Sequence, residues 1–214
     1  MAKMIFFDLW NTLLYCPTRD RVTVMLKVLG LSPRMSYHQM ISEMDSTVFR
    51  DCNTELRGVL KSLCEKHNVK TSDATITSAV KIWESRLSEA EPFPDVMPAL
   101  EDLRKGYSLG LLSNTDKGGA DFIKAGKFYE SFDFAIMSCD KGCVKPSLSI
   151  YEEAAKAAGL PPSECWMVGD NLKADVEGAI KAGLNAVLID RTGRQHTGDY
   201  HVVRHLTDLR RVIE

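Results

Sequence analysis

The chain has 214 residues, 44% of them apolar and 26% charged, with a formal charge of −2. That is the balance of an ordinary globular protein, long enough for one domain plus a substantial insertion. No block of like charge points to nucleic acid or a membrane surface, no apolar stretch nears the ~20 residues of a membrane helix, and no signal peptide is legible.

In chain order, the first element is a short apolar strand at residues 4–7, running into Asp8. From 16 to 90 the pattern is helix after helix, with no convincing strand. Residues 22–29, 37–49, 55–67 and 74–87 each carry apolar side chains at three- and four-residue spacing. Met25, Met35, Met40 and Met44 are expected to fill the interfaces between these helices. Residues 30–33 and 68–72 separate some of the helices, and Pro92 and Pro94 mark a hinge back. An alternating pattern then begins with a helix at 96–105 and a strand at 109–112 that ends at Ser113-Asn114. A helix at 117–124 and a strand at 134–137 come next, followed by Lys145-Pro146 and a helix at 149–158. The strand at 166–168 runs into Gly169-Asp170, and a helix at 174–182 leads to a strand at 186–189. A weaker run at 201–203 adds an edge strand before a last helix at 206–213. Gly106, Gly159 and Gly183 stand where helices stop.

Near-continuous apolar strands alternating with amphipathic helices predict a parallel sheet covered on both faces. The expected architecture is therefore α/β: a Rossmann-like core of residues 1–15 and 91–214, with an all-helical cap domain, 16–90, inserted after the first strand. The six cysteines (16, 52, 64, 139, 143 and 165) lack CxxC spacing and have no histidine partners. They read as free thiols rather than zinc ligands, and they fit a cytoplasmic location.

Doubly wound sheets bind ligands outside the carboxyl ends of their strands. The residues there are Asp8, Ser113, Asn114, Lys145, Asp170 and Asp175. This set suits phosphoryl transfer. A hard cation such as Mg2+ takes oxygen ligands, and the three carboxylates supply them. Without a cation these acids would repel one another. Lys145 and Ser113 can hold phosphoryl oxygens while Asp8 attacks to give an aspartyl-phosphate.

The stretch Phe6-Phe7-Asp8-Leu9-Trp10-Asn11-Thr12-Leu13 resembles the first motif of the haloacid dehalogenase superfamily. Leu111-Leu112-Ser113-Asn114 is similar to its second motif and Val144-Lys145-Pro146 to its third. The segment from Val168-Gly169-Asp170 to Asp175 resembles its fourth. Ile150-Tyr151, Gly178-Ala179 and Ala182-Gly183 look like the phosphoglycolate-phosphatase-like branch, which carries a mobile cap where the helical insert lies. The resemblance implies that Asp8 is nucleophile and metal ligand, and that the backbone carbonyl of Trp10 is a second ligand. It further implies that Ser113 and Lys145 bind the transferred group and that Asp170 and Asp175 complete a Mg2+ site. Asn114 and the Trp10 side chain are read as substrate contacts, with an aromatic plug between core and cap as the alternative for Trp10. The expected partner is a small phosphorylated molecule, not nucleic acid or membrane.

Trp10 departs from the phosphatase pattern, which has a second Asp there as general acid and base. Indole has no proton to exchange in that role, and positioned proton transfer contributes ~10²–10⁴-fold. Three alternatives stay open. Dehalogenases of the family carry an aromatic residue at this position and need no metal. A phosphonatase-like enzyme would use a cap lysine, Lys27 or Lys61, as a Schiff base. A degenerate site would only bind a phosphate ligand or a partner. Arg19, Arg21, Arg34, Arg50 and Arg57 are the cap arginines within reach of an anionic substrate.

Overall fold

The computed structural model describes residues 4–17, 21–194 and 196–213; Arg19 lies outside them. Strand β1 (Met4–Phe7) leads through a tight turn into β2 (Leu14–Tyr15). Four helices follow, α1 (Arg21–Val28), α2 (Tyr37–Ser46), α3 (Leu56–Lys66) and α4 (Asp73–Ser88), and the chain returns in β3 (Glu91–Pro92). Next come α5 (Val96–Leu103), β4 (Ser108–Ser113), α6 (Lys117–Ala125), β5 (Phe134–Met137), α7 (Ser138–Lys141) and α8 (Leu148–Ala158). Strand β6 (Cys165–Gly169) precedes a π-helical turn (Leu172–Glu177) that runs into α9 (Gly178–Lys181). Strands β7 (Asn185–Ile189) and β8 (His201–Val203), a 3₁₀ turn (Leu206–Asp208) and α10 (Arg210–Ile213) close the chain.

Six strands form one parallel sheet in the order β5-β4-β1-β6-β7-β8. From β1 the chain winds outward through β4 and β5, then returns to the other side of β1 for β6. That reversal opens a crevice at the carboxyl ends of β4, β1 and β6. Strand β1 shows why its sequence is apolar throughout. Ile5 and Phe7 enter one core with Leu100, Leu109 and Val168, while Met4 and Phe6 enter another with Ile150, Tyr151 and Met167. Successive side chains point to opposite faces, and helices cover both.

The cap helices build a third core of their own from Val22, Leu26, Leu60, Leu63, Trp83 and all four expected methionines. Val144, just before Lys145, packs into this cap cluster. Helix α2 starts at a reciprocal cap between Ser36 and Gln39. It ends at Ser46 rather than continuing to 49, because Thr47 turns back: its hydroxyl donates to the Glu43 carbonyl at 2.6 Å and its N–H to Met44. The turn lets Phe49 dock on the core, where its carbonyl accepts from the Ser138 hydroxyl at 2.5 Å. Beside it, the Cys52 N–H reaches the Cys139 carbonyl at 3.3 Å, and the two thiols meet at 2.7 Å.

Three further details differ from the periodicity of the sequence. The short antiparallel pair β2–β3, with Leu14 opposite Pro92, links the cap's two connections and is too brief to leave a pattern. The helix expected at 174–182 opens as a π turn, and the one expected at 206–213 divides into a 3₁₀ turn and a single α turn. Of the three stop glycines, Gly159 and Gly183 take left-handed φ of 66° and 85°.

Candidate active site

Asp8 follows the last residue of β1, and its N–H donates to the Val168 carbonyl of β6 at 2.8 Å. The backbone then reverses: Leu13 and Leu14 both donate to the Leu9 carbonyl, with Asn11 at a left-handed φ of 62°. This turn leaves the Asp8 carboxylate facing the crevice. Lys145 Nζ donates to Asp8 Oδ1 and to Asp175 Oδ1, both at 2.7 Å. Lys145 and Asp175 are almost wholly buried, at 2% and 1% exposed.

Two local devices aim these groups. The Asn114 side chain clasps the Lys145 backbone, donating to its carbonyl at 2.9 Å and accepting from its N–H at 2.8 Å. Asp175 belongs to the π turn, where Asn171 Oδ1 accepts from the N–H groups of Lys173 and Ala174 while Asp175 Oδ2 accepts from Asn171 N at 2.9 Å. The wider turn folds Asp175 inward instead of along a helix face. Gly169 is required there, because a Cβ would lie 2.2 Å from the Asp175 carboxyl carbon. The Tyr151 hydroxyl holds the same turn by donating to the Ala174 carbonyl.

Ser113 ends β4 with 0% exposure, and its hydroxyl has no hydrogen-bond partner. The hydroxyls of Thr12 and Thr115 are buried and unpartnered as well. Buried polar atoms are nearly always paired, so the open hydroxyls of Ser113 and Thr12 after β4 and β1 are what a ligand-binding rim requires; the Thr115 hydroxyl instead lies against Gly119 of α6. Thr12 lies inside the first motif, which is the signal that could have singled it out.

The electrostatics are unbalanced. Burial, opposed by the Lys145 ammonium and aided by the Asp175 carboxylate, pushes Asp8 up to about 6. Desolvation and then the charges of Asp8 and Asp175 push Asp170 up to about 8, although its solvent-facing side tempers the effect. Lys145 is held above its ordinary value: burial alone would lower it, but Asp175 and Asp8 prevail. Oxygens of Asp8, Asp170 and Asp175 lie within 4.8 Å of one another. Hard oxygen donors at this spacing, with carboxyls reluctant to ionise, fit a divalent cation such as Mg2+. Asp175 already has both oxygens engaged, so Asp8 and Asp170 have the freer donors.

Trp10 lies half-buried where cap and core meet. Above its ring at 5.5 Å is Arg86 of α4, which also covers Trp83 at 3.9 Å. Arg86 pairs with Asp116 at 2.8 Å, and the Trp83 indole N–H donates to the same carboxylate. Asp116 in turn caps α6 by accepting from Gly119 N at 2.7 Å. Arg86 was not among the candidate arginines, since nothing in its helix distinguishes it. Of those that were, Arg21 binds Ser85 and Glu89, while Arg34 and Arg57 are engaged on the cap surface by Gly30 and by Thr77 and Asp73. Lys27 and Lys61 are exposed, without the desolvation that activates a Schiff-base lysine. Asp45 of α2 is a further residue that the sequence reading passed over. Its Oδ1 accepts from Asn114 Nδ2 at 3.0 Å, and Arg50 acts on it electrostatically.

Comparison with known proteins places this geometry. The family pattern of haloacid dehalogenase-like hydrolases matches residues 2–183. A glyceraldehyde 3-phosphate phosphatase from Methanothermobacter thermautotrophicus is 30% identical over 203 residues, covering 89% of this chain and 86% of the relative. The crystal structure of a 2-haloacid dehalogenase from Pseudomonas syringae pv. Tomato DC3000 shares the fold with a TM-score of 0.67 at 24% identity, covering 100% of this chain and 98% of that one. A Bacteroides thetaiotaomicron enzyme of the same family, solved with magnesium and inorganic phosphate, superposes with a TM-score of 0.63 at 18% identity over 91% of this chain and 97% of its own. Among the described residues no helix is long and apolar enough to cross a membrane.

Proposed function

Because the chain belongs to the haloacid dehalogenase-like hydrolases, we propose that it is a Mg2+-dependent phosphohydrolase that works through an aspartyl-phosphate on Asp8. One observation carries this reading. Three carboxylates, Asp8, Asp170 and Asp175, share a single ammonium, Lys145, and a divalent cation would cancel the imbalance.

Asp8 attacks the phosphorus, and the bond to the leaving oxygen breaks. Lys145 fixes one Asp8 oxygen and, with the Ser113 hydroxyl, steadies the phosphoryl oxygens. Asp8, Asp170, Asp175 and the backbone carbonyl of Trp10 are the groups that would hold the metal, which supplies neutralisation of the phosphoryl charge. Asn114 keeps Lys145 in place and, with Trp10, faces the substrate. Water then cleaves the aspartyl-phosphate. The cap, assigned to residues 16–90, closes over the core of 1–15 and 91–214 to exclude bulk water. The relative's activity toward glyceraldehyde 3-phosphate supports a small phosphorylated metabolite as substrate.

Trp10 favours a second reading, a metal-independent 2-haloacid dehalogenase in which Asp8 displaces halide. A panel of aryl, acyl and alkyl phosphates and 2-haloacids, with and without chelator and with Asp8→Asn as control, separates the two. The proposal requires phosphate release that both chelation and Asp8→Asn abolish. Halide release persisting in chelator would replace it with the second reading. Silence on both, with phosphate still bound, would leave a non-catalytic binding protein.

A further inference from the structure

We propose that Asp45, delivered by cap helix α2, carries the proton that Trp10 cannot, as general acid to the leaving group and general base to the attacking water. This rests on the phosphohydrolase reading above. Asp45 is half-buried and bonded to Asn114, the residue immediately after Ser113, through a 3.0 Å contact. The same Asn114 side chain clasps the backbone of Lys145. A cap carboxylate is thereby held over the two core loops that present the phosphoryl-binding groups. Two other acids of this part of the cap are engaged elsewhere: Glu43 binds Lys66 at 2.6 Å, and Asp51 holds Asn53 and Thr54.

The chemistry suits the placement. In the first step an Asp8 oxygen bonds to phosphorus, the bond from phosphorus to the leaving oxygen breaks, and the Asp45 proton passes to that oxygen, releasing an alcohol. In the second, ionised Asp45 takes a proton from water, whose oxygen bonds to phosphorus as the Asp8 bond breaks. Phosphate leaves and Asp45 is again protonated. Burial, opposed by the Asn114 hydrogen bond and the charges of Lys145 and Arg50, pushes Asp45 up to about 6, so both forms are populated near neutrality. Trp10 then need not be a defect. An acid/base group on the cap couples proton transfer to cap closure, so a poor leaving group is expelled only when the site is shut.

The test varies the leaving group in one protein preparation, so the ratio of rates does not depend on how much of it is folded. Asp45→Asn preserves size and the acceptor for Asn114. Loss of a general acid is expected to slow an alkyl phosphate by roughly 10²–10⁴-fold. 4-Nitrophenyl phosphate, whose leaving group needs no proton, should instead give a burst of nitrophenol followed by slow turnover, with phosphate trapped on Asp8 and visible by mass spectrometry. Equal losses on both substrates without a burst would overturn the proposal in favour of a positioning role, and unchanged rates would overturn it outright. Wild-type protein that releases no phosphate in an Asp8-dependent way would overturn the underlying reading first, before Asp45 is varied.

Discussion

Two buried cations, Lys145 and Arg86, each lie within a cluster of hydrogen-bonded groups. Lys145 is sealed between Asp8 and Asp175 on the core rim, and Arg86 between Asp116 and two indole rings at the cap junction. Both ion clusters have short hydrogen bonds and little solvent. They differ in what is left over. Around Arg86 the charged groups are matched: Asp116 accepts from Arg86, Trp83 and Gly119, and Arg86 spends another donor on the Trp83 carbonyl at 2.9 Å. Around Lys145, two carboxyls are pushed upward and Ser113 has an unpartnered hydroxyl. Buried charge alone does not mark a site. Imbalance does, because it leaves binding energy for something that arrives.

This contrast can be broken at several points. The largest effect belongs to Asp8→Asn, which is expected to lower phosphate release by ~10⁴-fold or more, as loss of a nucleophile does. Retained turnover in a discontinuous phosphate assay would remove the rim cluster from the chemistry. Next is Ser113→Ala. Its hydroxyl has no partner to lose, so denaturant titration should show a stability change under about 1 kcal/mol. Activity, in contrast, should fall ~10²-fold. A stability loss as large as the activity loss would show a structural role.

Arg86→Met tests the matched cluster and should do the reverse. Breaking a buried pair while leaving Asp116 costs about 3 kcal/mol of stability. Nitrophenyl phosphate turnover at saturating substrate, corrected for folded fraction, should move less than it does for Ser113→Ala. The smallest effect is electrostatic. Asp8 and Asp170 are both raised, so folding disfavours their ionised forms. That penalty is absent below about pH 4, where folded and unfolded carboxyls are alike protonated, and it builds as pH rises through their folded values. In chelator, melting temperature is therefore expected to decline between pH 5 and 8, and Mg2+ should recover more of it at the upper end. A flat profile with no Mg2+ response would show that the rim is balanced without a cation.

The rim was legible before any coordinates because a parallel sheet brings strand ends together by rule. Asp8, Ser113 and Asp170 each terminate an apolar run, and Lys145 and Asp175 follow such ends within family-like motifs. The turn that aims Asp175 was not legible. Helical spacing is shared by α and π turns over so few residues, and the five-residue backbone bond from Gly178 N–H to the Lys173 carbonyl distinguishes them. Met25, Met40 and Met44 pack in the cap core as their helical spacing predicts, whereas Met35 reaches it from the turn between α1 and α2.

The sequence by itself determined the sheet, the helical insert and the acids at the strand ends, because period and termination are local properties of the chain. Only the tertiary structure decided that Arg86 meets Asp116 across 30 residues and that Asp45 meets Asn114 across 69. Those contacts come from how two separately packed bodies dock, and docking depends on side-chain shape and charge across the gap. No periodicity within either body encodes it. Trp10 stands on that boundary: its identity was plain in the first motif, but the cap residues that surround it became known only once the bodies met.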